Sequence, residues 1–130
     1  MVSLADRANL AVPHLRPCSA GHSYMVFDCK GNISKCQMNT SVTDISDSNP
    51  LISLQENRTG LQNLSVDEKE ECKFCKWKYW CGGGCPLETF HFTGRYDRKS
   101  PNCNICKSLF PEIIRLEGLR LLAYGQPLDI

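Results

Sequence analysis

The sequence predicts a small α+β fold stabilised by metal, with one β-hairpin, cysteine-rich loops and a C-terminal helix. Three observations indicate this fold. A turn signal at Gly31 separates two short runs of β-forming residues, and nine cysteines cluster at short spacings. Near its end the chain repeats apolar residues at helical intervals. With 130 residues, the chain has the size of one domain.

The hairpin is predicted from residues 23–37. Residues 23–28 are rich in β-forming side chains, and Lys30, Gly31 and Asn32 are typical of a turn. Residues 33–37 then alternate between apolar and polar side chains. The following segment, residues 38–66, is mostly polar and reads as a connection.

Helical segments are predicted at five places: 4–10, 51–54, 65–71, 86–92 and 105–124. The third is a capped first turn, because Glu68 follows Ser65 by three residues. Gly94 is expected to stop the fourth helix. The last helix has a wide apolar face, and Pro111 must either begin it or kink it.

Charge and hydropathy exclude two classes of partner. The formal net charge is +1, from 15 basic and 14 acidic side chains, so we expect no nucleic-acid binding. No apolar run approaches the length of a membrane span, so no membrane partner is expected. The first residues lack the apolar stretch of a signal peptide, which predicts a cytoplasmic protein.

The nine cysteines favour metal over disulfides. They stand at 18, 29, 36, 72, 75, 81, 85, 103 and 106. Disulfides rarely persist in the cytosol, and short-spaced groups are the usual way in which a chain supplies metal ligands. Four disulfides with one thiol left over remain the alternative.

The densest cysteine group lies in residues 72–85, which we expect to form a loop organised by the metal. Cys72 and Cys75 can turn both sulfur atoms inward around a tight loop. Trp77, Tyr79 and Trp80 can cover the site and exclude water, which helps to set the potential of a cluster. The glycines at 82–84 let the backbone approach closely.

The full spacing is Cys18-x12-Gly31-x4-Cys36, then Cys72-x2-Cys75-x5-Cys81-x3-Cys85, then Cys103. This pattern resembles the SPASM domain, the C-terminal extension of many radical S-adenosylmethionine enzymes, over residues 18–124. The sequence Trp-Cys-Gly-Gly-Gly-Cys-Pro at 80–86 and Gly-Arg-Tyr-Asp at 94–97 resemble the peptide-modifying branch. Residues 1–17 would then be a lead-in and residues 125–130 a tail.

The resemblance implies two auxiliary 4Fe–4S clusters. By the family pattern, the second cluster takes four cysteines, which we call the second set: Cys72, Cys75, Cys81 and Cys103. The first cluster takes three cysteines, the first set: Cys18, Cys36 and Cys85. Cys29 is a candidate for its fourth ligand. Cys106 lies on an apolar-flanked stretch, where an inert buried thiol is expected.

The catalytic half of a radical S-adenosylmethionine enzyme carries Cys-x3-Cys-x2-Cys, and this chain has Glu88 where that motif would need its third cysteine. We therefore expect no S-adenosylmethionine site here. The implied partners are a radical S-adenosylmethionine catalytic core and a substrate peptide. Two other hypotheses are a structural zinc module for protein binding and a free-standing ferredoxin-like carrier.

Overall fold

The computed structural model describes residues 13–125, which form a three-stranded antiparallel sheet and then four α-helices. The strands are β1 (Val26–Phe27), β2 (Asn32–Ser34) and β3 (Thr43–Asp44). The helices are α1 (Pro50–Glu56), α2 (Lys78–Cys81), α3 (Pro86–Thr93) and α4 (Cys103–Tyr124). The predicted α+β class is therefore confirmed. The helix predicted at residues 4–10 lies outside the described residues.

The predicted hairpin is formed by β1 and β2. The two strands pair antiparallel with Phe27 opposite Ile33, and Gly31 lies in the connecting turn. The Asp28 carboxylate accepts a hydrogen bond of 2.8 Å from the backbone N–H of Lys30. Such side-chain bonding to the backbone two residues on is the usual way in which aspartate fixes a turn.

The strand β3 was not predicted, because it falls within the polar connection at residues 38–66. Its Thr43 pairs with Ile33 of β2, and the N–H of Val42 donates to the Ile33 carbonyl oxygen at 2.8 Å. Two residues are too few to show an alternating pattern. Backbone pairing with the hairpin therefore fixes this strand.

Two of the predicted helical segments are confirmed, and each has a capped first turn. The helix α1 begins at Pro50, directly after Asn49, whose side chain caps its first turn. The predicted capped turn forms a 3₁₀ helix at Val66–Glu68. There Ser65 is the cap, and the Glu68 carboxylate accepts a hydrogen bond of 2.8 Å from the Ser65 N–H.

The later helices differ slightly from their predicted bounds. The helix α3 continues one residue beyond the prediction and ends at Gly94, as expected. The helix α2 was not predicted, since it lies inside the segment interpreted as a loop. The helix α4 begins two residues earlier than predicted and contains Pro111 in its interior.

The core is thin and divides into two neighbourhoods. Ala20, Leu54 and Leu61 line one cavity beside the hairpin, whereas Val66 and Phe110 line another beside the cysteines. A core of this size leaves much of the fold to hydrogen bonds and to any bound metal. No helix in residues 13–125 is long and apolar enough to cross a membrane.

Candidate metal centre

The second set of cysteines is brought into place by a run of tight turns. The N–H of Cys72 donates to the Lys69 carbonyl at 3.0 Å, and the N–H of Cys75 donates to the Cys72 carbonyl at 2.8 Å. After Cys75 the chain enters α2, where the N–H of Cys81 donates to the Trp77 carbonyl at 2.9 Å. Each turn folds the chain back, so that three cysteines of one short segment stay close together.

The fourth member of the second set comes from another part of the chain. The segment before α4 is attached to the segment before Cys72 by two hydrogen bonds. The N–H of Glu70 donates to the Asp97 carbonyl at 3.1 Å, and the N–H of Lys99 donates to the Glu71 carboxylate at 3.2 Å. Lys99 also forms an ion pair with Glu71 at 3.4 Å. These contacts place Cys103, the first residue of α4, near the other three cysteines of the second set.

All four cysteines of the second set line one cavity, and Cys106 lines it as well. The cavity measures about 20 Å³, which is room for about one water molecule. A four-iron cluster would therefore require these side chains to turn away from the cavity centre. Burial raises the pKa of the Cys72 thiol, so metal binding there must also displace a firmly held proton.

The position of Cys106 beside the second set is the main difference from the sequence interpretation. It was expected to be an inert thiol, and the structure places it half-buried at the wall of the same cavity. Residues three apart in a helix share a face, so Cys103 and Cys106 necessarily lie side by side. The spacing Cys-x2-Cys at 103–106 was the signal that could have identified it.

Aromatic side chains cover the second set. The Trp77 ring lies 5.5 Å from the Phe110 ring, and the Trp80 ring lies 5.9 Å from Phe110, measured between centroids. Trp77 and Phe110 also line the cavity. Tyr79 points elsewhere, because its hydroxyl donates to the Asp67 carboxylate at 3.3 Å. Phe110 was not among the covering residues that the sequence suggested.

The first set is less complete. Cys18 and Cys85 are both exposed, and both act electrostatically on the same lysine, Lys69. Cys36 lies half-buried after β2, and Cys29 is exposed in the hairpin turn. Neither set yet forms a site for a single metal ion. Within residues 13–125, no three His, Cys, Asp or Glu side chains stand close enough to hold one.

An open cleft of about 440 Å³ lies beside Cys18. His14, Arg16 and His22 contribute to its walls, and the Nε2 atom of His14 is buried without a hydrogen-bond partner. The cleft gives Cys18 access to solvent, whereas aromatic rings cover the second set.

No disulfide joins any two of the nine cysteines in this structure. The thiols of the second set are mostly half-buried, which protects them from exchange with other thiols. Arg95 pairs with Asp97 and with Glu70, the latter at 3.7 Å. Its role in the structure is to hold the turn that leads to α4.

Comparison with known proteins gives one relative and no family. A protein of Archaeoglobus fulgidus, described as an uncharacterized protein, is 28% identical over 117 residues. The match covers 85% of this chain and 26% of the relative, so the chain spans about a quarter of the relative's length. No family model matches the chain, and no solved structure matches it.

Proposed function

We propose that this chain is the auxiliary iron–sulfur domain of a SPASM-type radical S-adenosylmethionine enzyme that modifies peptides. Its cysteines bind two 4Fe–4S clusters. The observation that carries the proposal is the convergence of the second set on one cavity. Cys103 is 22 residues from Cys81 in sequence and yet lines the same cavity as Cys81. The family resemblance assigns these cysteines to one cluster.

In this proposal cysteines bind the clusters, and aromatic side chains shield them from water. Thiolates of the second set would hold one cluster, and Trp77 and Phe110 keep water away from it. Cys18, Cys36 and Cys85 would hold the other, with Cys29 as a possible fourth ligand. When bound, such clusters supply one-electron transfer. A cluster binds each thiolate through a different iron atom, so its ligands stand further apart than those around one ion.

The proposal requires a catalytic partner. The sequence lacks Cys-x3-Cys-x2-Cys, so the S-adenosylmethionine site would belong to another part of the enzyme or to a separate chain. The relative's greater length fits a domain that serves a larger protein. The substrate peptide would be placed, or exchange electrons, at this domain. Nine cysteines with no disulfide between them fit the reducing cytoplasm.

A structural zinc site is the second candidate, and the size of the cavity favours it. About 20 Å³ is closer to the needs of one ion than to those of a four-iron cluster. Zinc takes four thiolates in tetrahedral geometry, so the thiols of the second set would have to close on the ion from their present separation. The zinc hypothesis leaves the first set without a role.

The test is a count of iron, acid-labile sulfide and zinc per chain, on protein prepared and reconstituted without oxygen. We expect about eight irons with matching sulfide, as two 4Fe–4S clusters require. The variant Cys75→Ser should lose about four irons, because the second set then lacks a ligand.

The matched control is Phe74→Ala, which changes a neighbouring side chain that is 89% exposed. It should retain the full iron content. Zinc without sulfide would replace the redox proposal with the structural one. A chain that binds neither metal under these conditions would contradict both.

A further inference from the structure

Lys69 is a lysine with no exposed surface at all. It follows the 3₁₀ helix and precedes Cys72 by one turn. Its carbon chain lies against Gly83, where an added Cβ atom would stand 2.8 Å from the Lys69 Cδ atom. The Nζ atom donates a hydrogen bond of 3.0 Å to the Gly83 carbonyl oxygen. Nothing in the sequence around Lys69 marks it as buried.

The ammonium group of Lys69 has no carboxylate partner. None of the ion pairs formed by residues 13–125 includes it, and Gly83 supplies one acceptor for three N–H donors. A buried charge without compensation is costly, so buried lysines are normally paired. The other buried lysine, Lys35, donates to two carbonyl oxygens, those of Asn57 and Leu61, at 2.6 and 2.8 Å.

Cysteines supply the negative charge around Lys69. Burial lowers the pKa of Lys69, and the neighbouring cysteines act in the opposite direction once they are ionised. These cysteines are Cys72, Cys81, Cys85 and Cys18. The first two belong to the second set and the last two to the first set. Gly83, whose carbonyl oxygen accepts from the Lys69 Nζ atom, lines the cavity of the second set and precedes Cys85 of the first set by two residues.

We propose that Lys69 is an internal counter-ion shared by the two cysteine sets. This inference rests on the proposed function, because the thiols become anionic thiolates when they bind metal. The ammonium group then offsets their negative charge inside the protein. There a cation interacts with thiolates more strongly than a cation in bulk water would. Lys69 therefore favours the loaded protein over the metal-free protein and is a positioning residue for both sites.

The experiment compares the loaded and metal-free forms of the full chain. Iron and sulfide are counted first, and the melting temperature of each form is then measured for wild type, Lys69→Met and Lys69→Gln. Both variants remove the charge, and glutamine keeps a donor for the Gly83 carbonyl. We expect the gain in melting temperature on loading to shrink in both. Iron release to a chelator should become faster by on the order of tenfold.

The control is Lys35→Met, which removes the other buried ammonium group. Its hydrogen bonds go to backbone carbonyl oxygens, so both forms should lose stability equally and the gain on loading should persist. The counter-ion role is overturned if the Lys69 variants behave in this way, or if neither folds in either form. A wild-type chain that takes up no iron and sulfide would instead contradict the proposed function itself.

Discussion

Two glycines have the same backbone conformation but different surroundings, so they separate the effect of backbone strain from the effect of close packing. Gly84 and Gly94 have φ angles of +73° and +69°, in the left-handed region that side chains rarely adopt. A Cβ atom at Gly84 would clash with the Cβ atom of Ser100 and stand 2.8 Å from its Oγ atom. A Cβ atom at Gly94 would meet nothing within 4 Å.

The first prediction compares the two alanine variants. Gly94→Ala should lower the free energy of unfolding by about 1 kcal/mol, the cost of the left-handed conformation alone. Gly84→Ala should cost more, because Ser100 must also move, and Ser100 precedes Cys103 by three residues. Iron content should fall in Gly84→Ala and stay unchanged in Gly94→Ala. Equal unfolding free energies would show that the close approach of Ser100 is unimportant.

At this scale the sequence could indicate which cysteines share a cavity but not which other residues surround them. The family resemblance implied that Cys72, Cys75, Cys81 and Cys103 belong together, and they do line one cavity. Lys69 could not be identified, because lysine is normally exposed and nothing local marks it as buried. Its burial depends on the close approach of Gly83, which is a tertiary contact.

At the scale of elements, α4 shows what periodicity can and cannot predict. Apolar spacing correctly indicated a helix over residues 105–124, because a helix is set by local pattern. The same spacing indicated a wide apolar face. In the described chain, however, Phe110 is the one residue of α4 that is fully buried, and Leu122 is 86% exposed. Burial depends on a neighbour, and nothing in the sequence of a helix specifies one.

The second prediction compares two apolar residues of α4. Phe110→Ala should lower the free energy of unfolding by about 3 kcal/mol or more, since it leaves a cavity beside Trp77 and Trp80. Leu122→Ala should change it by less than about 0.5 kcal/mol in the isolated chain. Urea unfolding of the loaded protein measures both. A large effect at Leu122 would contradict the exposed position of the end of α4.

At the scale of the whole molecule, the two neighbourhoods of the core differ in what holds them. The region of the hairpin and α1 has apolar residues of its own, with Ile33 and Leu54 fully buried. The cysteine region has Val66 and Phe110 around a cavity lined by thiols. Two backbone hydrogen bonds attach the segment before Cys18 to the cysteine region. The N–H of His14 donates to the Tyr79 carbonyl oxygen, and the Leu15 carbonyl oxygen accepts from the N–H of Val66. Bound metal should therefore stabilise the cysteine region far more than the hairpin region.

The last prediction is that removal of the metal loosens the cysteine region and leaves the hairpin region folded. Both tryptophans of the chain, Trp77 and Trp80, lie in the cysteine region, so their fluorescence reports on it alone. On chelation we expect their emission to shift to longer wavelength. Amide exchange at Cys75 and Cys81, whose N–H groups bond within the turns, should accelerate by orders of magnitude.

The internal control is the N–H of Val42, which donates to the Ile33 carbonyl in the sheet at 2.8 Å. Its exchange should change less than that of Cys75, because Ile33 is fully buried and the nearest proposed ligands, Cys29 and Cys36, lie outside the strand pair. Equal acceleration at Val42 and Cys75 would mean that the chain opens as one cooperative unit. In that case the metal stabilises the whole fold, and the hairpin region has too little buried apolar surface to persist without it.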